Sequence, residues 1–482
     1  MTDWRSKRYS RFYSITDQIV DELQNHIWTK TGRSKRRLNG SDLDALKFSV
    51  ETLIRDSVAV VYQRKRYGSA SIKKGKDSYS EVGTDPLITY RIHIARAYHG
   101  LIELGYLVET EKGFHDRKGR KDGTLLSKLT RYQATDKLIQ LFTTEEQRVL
   151  AAIIPSARDP NPIRIRVWER VRVRDPETRR RQTLPTPDTA NVRRMRSNLQ
   201  RINTAIQRYW IDLALEDDFL AEQLLALGSS DNRDVQVRMN QRSLYRVFND
   251  PTLKTGGRFY GGWWQNIPKS LRRYLVIDGK RTIELDYANQ HPTILYLKEG
   301  LEPPIDGYSG VLGPIEGHTD STIRSMVKSA FNAMLNADHR LKQAPKGVKP
   351  ARFGLKWREV SDAIEAFHHH IAKYFYTGIG LRLQRTDSDI AERVLLTFAK
   401  HEDRIPILPL HDSFILHSGY EDMLRRVMAE AFEKIVGGPP KISMETYLAP
   451  TATDEGFINL SVDELLAAND VGHEWRLREF KR

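Results

Sequence analysis

The chain of 482 residues contains no cysteine. Disulfides, thiolate zinc sites and cysteine nucleophiles are thereby excluded, and a reducing, cytoplasmic compartment is the expectation. There is also no apolar run approaching the roughly 18 residues of a membrane span. The N-terminus, MTDWRSKRYSRFYS, is basic and aromatic and lacks the apolar stretch of a signal peptide. A soluble protein with no membrane partner is therefore expected. Glycine pairs occur at Gly256-Gly257 and Gly261-Gly262, but not at phosphate-loop spacing. The sequence has no internal repeat, no long low-complexity tract and no recognisable nuclease module. Acidic residues are in deficit, 62 Asp and Glu against 77 Lys and Arg, for a formal charge of +15. That excess suits a protein that neutralises phosphates, so nucleic acid is the first expected partner.

The length exceeds what one core usually supports, and four segments are expected, 1–150, 151–242, 243–450 and 451–482. The first has helical patterns at Ile15 to Ile27, Asp42 to Arg55 and Tyr90 to Leu104. Strands from Tyr106 and from Leu125 follow, flanking a loop rich in Gly, Lys and Arg. Helices followed by a basic two-stranded wing resemble a winged helix, a DNA-binding module, with Arg91 to Tyr98 and Arg117 to Lys121 as contact candidates. A basic, solvated hairpin on an ordinary helical domain is the alternative. A proline-bounded linker is read near Pro155 to Pro162.

The run IRIRVWERVRVR alternates, with Ile163, Ile165, Val167, Val171 and Val173 on one face and arginines on the other, as a strand does. That arginine face suits a phosphate backbone, or equally the charged edge of an ordinary sheet. RRRQTLPTP reads as a flexible loop. From Thr189 to Trp210 the spacing of Val192, Met195, Leu199, Ile202, Ile206 and Tyr209 predicts one long helix, with Arg193 and Arg194 among the arginines on its other faces. From Ser243 onward, short strands and turns take over, including a hairpin YLVIDGKRTIELDY with Asp278-Gly279 as its turn. Helices are expected at Pro292 to Leu297, Ser321 to Asn336, Val360 to Tyr376, Ser388 to Lys400 and Glu421 to Ile435.

Two aspartates share a setting: Asp286 follows TIEL and Asp412 follows ILPLH, each at the end of an apolar run. Burying a carboxylate there is costly unless something binds it. Carboxylates on adjacent strands hold two hard cations about 3.5 to 4 Å apart, the arrangement that activates a 3′-hydroxyl and stabilises a leaving phosphate. Any chain of this size has strand-terminal aspartates, so the pair alone is a weak signal. Between them, TIRSMVKSAFNAMLNA carries Arg324 and Lys328 four residues apart on one helical face. Such a face grips a triphosphate, Arg by its fork and Lys as a point charge, or else is an ordinary solvated basic face. His368, His369 and His370 are consecutive on a predicted helix, point in different directions and are expected at the surface or partly buried. The aromatic cluster Phe259, Tyr260, Trp263 and Trp264 suits base stacking or a core anchor.

In this order the elements resemble the palm and fingers of family A DNA polymerases and their relatives, the single-subunit phage-type RNA polymerases. LDYANQHPTIL resembles motif A, IRSMVKSAFNAMLNA motif B with Arg324 and Lys328 at the family's positions, and LPLHDSFIL motif C with His411 and Asp412. LQRTDSDIAERVL resembles the helix before motif C, matching at Gln384, Thr386 and Asp389. The chain departs from the pattern at Asn332, at Asn336 where the family has Tyr, and at His291, five residues after Asp286, where sugar selection is made.

The resemblance implies an α+β fold: a right-hand polymerase palm of antiparallel sheet with helical fingers in residues 243–450. An Arg-rich, thumb-like region would precede it in 151–242, and the winged-helix-like domain lies at 1–150. It implies that Asp286, Asp412 and Lys328 are catalytic, with Asp286 and Asp412 ligating Mg²⁺ or Mn²⁺ and the Tyr287 carbonyl assisting. Arg324, Lys328, Tyr287, His291, Asn332 and Asn336 would meet the nucleotide, and Gln384 and His411 the template or primer, with Arg193 and Arg194 assigned there too. The expected function is a template-dependent nucleotidyltransferase, a primase-polymerase or DNA polymerase of a replication or mobile element. It would act on a DNA template, with or without a primer, and on NTPs or dNTPs. The alternatives are a compact single-subunit DNA-dependent RNA polymerase and a non-catalytic DNA-binding initiator or regulator.

Overall fold

The apolar periodicities of the N-terminal segment fold as helices α1 (Ser10–Thr31), α2 (Gly40–Gln63) and α3 (Pro86–Glu103). The computed structural model describes residues 10–31, 40–63, 69–72, 86–115, 127–128, 130–144, 162–170, 179–215, 241–345, 347–401 and 405–445, with a few positions between them. The basic loop Arg117 to Lys121, the linker near Pro155 to Pro162 except Pro162 itself, and the segment 451–480 lie outside these residues. Contacts divide the chain into two units, one of residues 1–245, 260–282 and 447–482, the other of 246–259 and 283–446.

In the first unit, strands β1 (Ala70–Ile72), β2 (Leu107–Glu111) and β3 (Thr130–Ala134) form an antiparallel sheet in the order β1-β3-β2. Leu23, Val50, Ile54, Ala97 and Leu101 share one core beneath it. A side chain at Gly100 would meet Leu23 Cδ1 at 2.0 Å, so only glycine lets α3 come so close to α1. Tyr98 is wholly buried here, its ring edge-on to Tyr132 and its hydroxyl donating to Glu109 at 2.8 Å. This corrects its assignment as a DNA-contact candidate: Tyr98 falls on the apolar stripe of α3 with Ile94, Ala97 and Leu101.

The alternating arginine run becomes β4 (Ile163–Arg170), with Ile163 and Ile165 buried as the alternation requires. Residues Arg179–Leu184, expected as a loop, form strand β5, paired antiparallel to β4 from Ile165↔Leu184 to Arg170↔Arg179. Once β4 offers an open edge, its ladder captures this polar segment whatever its own strand preference. Helix α4 (Ala190–Gln207) begins where Thr189 Oγ1 accepts from the Val192 amide at 3.3 Å. Its buried stripe is Val192, Met195, Leu199, Ile202 and Ile206, and Arg193 and Arg194 stand on the exposed side, bonded to Asp188 and Asn191. Strands β6 (Ile211–Leu213) and β7 (Leu275–Ile277) pair antiparallel, and the next turn has positive φ at both Asp278 and Gly279, the twist a tight hairpin needs. Trp263 and Trp264 are wholly buried anchors rather than exposed stacking surfaces.

Strand β8 (Lys280–Tyr287) enters the second unit at Ile283. Around it lie α5 (Gln290–Lys298), α6 (Asp320–Asn336), α7 (Trp357–Phe367), α8 (Gly380–Lys400), β9 (Ile407–Leu410), β10 (Ser413–His417), α9 (Glu421–Val436) and β11 (Ile442–Glu445). The sheet runs β9-β10-β8, with β11 also paired to β8. Two expectations are corrected here. Helix α8 begins at Gly380, ahead of Ser388, because Leu383, Asp387, Ile390, Ala391 and Val394 already make a buried helical stripe. Helix α7 stops at His368, which caps it and is wholly buried. The His368 Nε2 lies 2.8 Å from the Gly307 carbonyl, Nδ1 lies 3.2 Å from the Tyr296 hydroxyl, and the ring packs on Phe331. His369 and His370 continue into a 3-10 helix, His369–Tyr374, and are exposed, so of the three only His368 departs from the expected surface or partly buried setting.

Candidate active site

The closing pair Leu410↔Ser413 leaves His411 and Asp412 as a two-residue turn between β9 and β10, with His411 left-handed at φ 62°. A non-glycine residue in that region carries strain that the surrounding hairpin must hold. The Tyr287 amide donates to the Asp412 carbonyl at 3.2 Å, so the backbones bearing Asp286 and Asp412 run side by side. Leu285 and Tyr287 alternate to the α9 side of β8, where the Tyr287 hydroxyl donates to the Met428 carbonyl at 2.7 Å. Glu284 and Asp286 take the opposite face. Glu284 is buried and accepts from the Ser413 hydroxyl at 2.6 Å. Asp286 and Asp412 are half-buried, which corrects the expectation that they are interred at their strand ends. Both stand where the sheet's last residues meet turns.

Helix α6 buries Val327, Phe331, Met334 and Leu335 and leaves Lys328 exposed and Arg324 partly so. The Arg324 guanidinium donates to Asp306 at 2.6 Å and to Asn289 at 3.4 Å. Its Cζ lies 5.4 Å from the centre of the Tyr308 ring, and the Lys328 ammonium 6.0 Å. Tyr308 is buried against Phe331. Its hydroxyl is pushed well above the ordinary phenol range, chiefly by burial, with Arg324 opposing and Asp412, Asp306 and Asp286 adding to it. One phenol thus senses both carboxylates and the Arg324 cation. The sequence reading did not single out Tyr308.

His291 Nδ1 lies 3.4 Å from Asn332 Oδ1. Burial first, then Arg258 and Lys328, hold this imidazole down at about 4, against the pull of Asp412 and Asn332. It is neutral at physiological pH. Asn336 is exposed, donates to the Asn332 carbonyl at 2.7 Å and leaves no room for a side chain at Gly380. Gln384 is half-buried on α8. Arg193 and Arg194 belong to the other unit.

The aspartate of α8 that senses Asp412 is Asp387, not the Asp389 matched from sequence. Asp387 is buried and accepts from Arg258 Nε at 2.6 Å. Burial pushes its carboxyl up to about 6, with Asp412 adding and Arg258 opposing. Asp389 instead pairs with Arg385 one turn away. The signal was present in the spacing, since Asp387 interrupts the buried stripe of α8 between Leu383 and Ala391, where an acid needs a partner.

No family model matches the chain, and no curated protein matches it. Among solved structures it is similar to the POL domain of Pol1 from M. smegmatis in complex with DNA primer-template and dNTP, at 14% identity and a TM-score of 0.29. The match covers 47% of this chain and 50% of that one, so this chain spans about half the length of that domain. So low a score carries no argument about fold or function. Among the described residues, no helix is long and apolar enough to cross a membrane.

Proposed function

We propose that residues 283–446, with the hairpin 246–259 made by paired strands Tyr245–Phe248 and Gly256–Tyr260, carry a template-dependent nucleotidyl-transfer centre. The observation that carries this reading is the Tyr287 to Asp412 hydrogen bond, which sets two carboxylates on adjoining backbones, while Arg324 and Lys328 both lie near the Tyr308 ring. No group of three or more His, Asp or Glu is gathered as a metal cluster among the described residues. The donor set is instead two half-buried carboxylates, hard oxygen ligands that fit Mg²⁺ or Mn²⁺ with water completing the shell. In this reading Asp286 and Asp412 would hold the cations, with the Tyr287 carbonyl assisting, and bound metal would supply activation of a 3′-hydroxyl and charge stabilisation at the transferring phosphate.

The chain's own groups do the rest. Arg324 exchanges Asp306 for phosphate oxygens and offers them its fork, and Lys328 protonates the leaving pyrophosphate. Neutral His291, oriented by Asn332, lines the sugar pocket with Asn336 at its edge. Gln384 and His411 approach the template or primer terminus. Arg193 and Arg194, together with a winged-helix-like N-terminal region, bind DNA backbone.

The test is incorporation of labelled rNTPs or dNTPs on a DNA template, with and without primer, in Mg²⁺ or Mn²⁺. Template-directed product is expected. Primer-free product from rNTPs alone favours a primase or RNA polymerase over a primer-extending DNA polymerase. Complete inactivity with intact DNA binding overturns the enzyme reading in favour of a DNA-binding initiator.

A further inference from the structure

The loop 304–309, which carries Asp306 and Tyr308 to the cations of α6, is held at several points by side chains. Lys441 donates to the Pro304 carbonyl at 3.0 Å and to the Ile305 carbonyl at 2.9 Å, and so secures the entry of the loop. Asp306 accepts from Arg324 Nε at 2.6 Å, from the Tyr308 amide at 2.9 Å and from the Ser309 hydroxyl at 2.9 Å. Between Asp306 and Tyr308 lies Gly307, whose carbonyl is 2.8 Å from His368 Nε2. A side chain at Gly307 would meet Pro292 Cγ at 3.0 Å, so the loop is pressed onto the start of α5 where it makes that bond.

His368 is wholly buried, and no step of the proposed reaction uses it. The Gly307 carbonyl can only accept, so Nε2 carries the ring proton and Nδ1 accepts from the Tyr296 hydroxyl at 3.2 Å. An apolar side chain would fill this space without desolvating two ring nitrogens, so packing alone does not account for a histidine here. What the imidazole adds is a bond to the residue that joins Asp306 to Tyr308. The ring also packs on Phe331, with centroids 4.9 Å apart, and Phe331 meets the Tyr308 ring edge-on at 5.5 Å. Phe331 stands seven residues beyond Arg324 on α6, two turns along the same face. The Arg324 guanidinium in turn meets both neighbours of Gly307: it is bonded to Asp306, and its Cζ lies 5.4 Å from the Tyr308 ring centre. We propose that His368 is a positioning residue for nucleotide binding: through Gly307 it holds Asp306 and Tyr308 against α6, and so fixes the direction in which Arg324 presents its fork. This inference rests on the nucleotidyl-transfer reading above.

The test compares full-length wild type, His368→Leu, His368→Gln, Arg324→Lys and the double variant of His368→Leu with Arg324→Lys. Affinities for ATP and dATP with Mg²⁺ are read by isothermal titration calorimetry, together with steady-state KM and kcat, DNA affinity and melting temperature. His368→Leu is expected to raise nucleotide Kd and KM about tenfold with a smaller fall in kcat, while DNA affinity stays within about threefold. His368→Gln, whose amide N–H keeps a donor for the Gly307 carbonyl, should return to within about threefold of wild type. Arg324→Lys has no planar fork left to aim, so His368→Leu should add less than about twofold in that background. If His368→Leu does not fold, Gly307→Ala decides the matter. Its side chain crowds Pro292 and displaces the same loop, and it should raise nucleotide Kd with Arg324 in place but not in the Arg324→Lys background.

Wild-type nucleotide affinity in folded His368→Leu overturns the inference while leaving the functional reading intact. An equal loss of affinity in the wild-type and Arg324→Lys backgrounds makes His368 a merely structural residue and also overturns it. A wild-type protein that neither binds nor incorporates a nucleotide overturns the functional reading, and this inference with it.

Discussion

The Tyr287 amide donates to the carbonyl of Asp412 at 3.2 Å, and this one bond ties the two candidate carboxylates into neighbouring backbones. It follows that Asp286→Asn and Asp412→Asn should each lower nucleotide incorporation by ~1000-fold or more, since each removes one charge from the pair. Affinity for duplex DNA, followed by fluorescence anisotropy, should change less than about threefold. Retention of incorporation by either variant sinks the two-carboxylate reading.

Arg324 is held by Asp306 and lies over Tyr308, so its planar fork rather than its charge alone is set in place. Arg324→Lys should therefore raise nucleotide KM about tenfold. Lys328→Gln should lower kcat more than it raises KM, because a proton donor acts mainly in the transition state. Single-turnover rapid quench separates the two effects.

His291 sits at about 4 in the fold, against an ordinary value near 6.5. Its folded value is depressed, so the unfolded chain binds the proton first as pH falls. Its contribution is complete above pH 6.5 and is lost as pH falls from 6.5 to 4, an upper limit of about 3 kcal/mol. His291→Gln, which cannot titrate, should show a smaller loss of stability over that window in urea unfolding. Identical pH slopes for the two proteins contradict the assignment.

Gly257 has φ of +89°, and a side chain there would meet Phe248 at 2.7 Å as well as Ser388. Gly257→Ala should cost about 1–3 kcal/mol of stability, a drop readable by thermal melting, because backbone strain and contact act together. A melting temperature within a degree of wild type shows that the hairpin can move away from α8.

Much of the helical architecture was legible because long amphipathic stripes, such as Val192 to Ile206, leave few alternatives. The hairpin turn Asp278-Gly279 was legible for a chemical reason, since both positions need left-handed backbone. Strand β5 was not, because Arg179–Leu184 has no pattern of its own and takes its form from the open edge of β4. At the site, setting and spacing gave only a weak signal for Asp286, Asp412, Arg324 and Lys328, and it was the motif resemblance that assigned them roles. Tyr308 escaped notice because it is set by a loop held to Arg324 through Asp306, a relation with no local signature. Asp387 was not singled out in the sequence, where only Asp389 matched the motif, although the helical stripe puts Asp387 on the inward face. His368 was misjudged because three consecutive histidines suggest solvent, and only the fold supplies the Gly307 carbonyl and Tyr296 hydroxyl that satisfy one of them.

The start of strand β8 pairs at once with β7, but the end that bears Asp286 finds its partners late. Glu284 meets Ser413, and Asp286 meets Ser443, at sequence separations of 129 and 157. During synthesis that end of the strand leaves the ribosome before either of these partners is made. Contacts this distant in sequence form slowly, and unpaired strand edges invite association meanwhile. A nascent chain therefore holds no carboxylate pair until the β9–β10 hairpin bearing Asp412 emerges, so the proposed chemistry is withheld until that hairpin docks beside Tyr287.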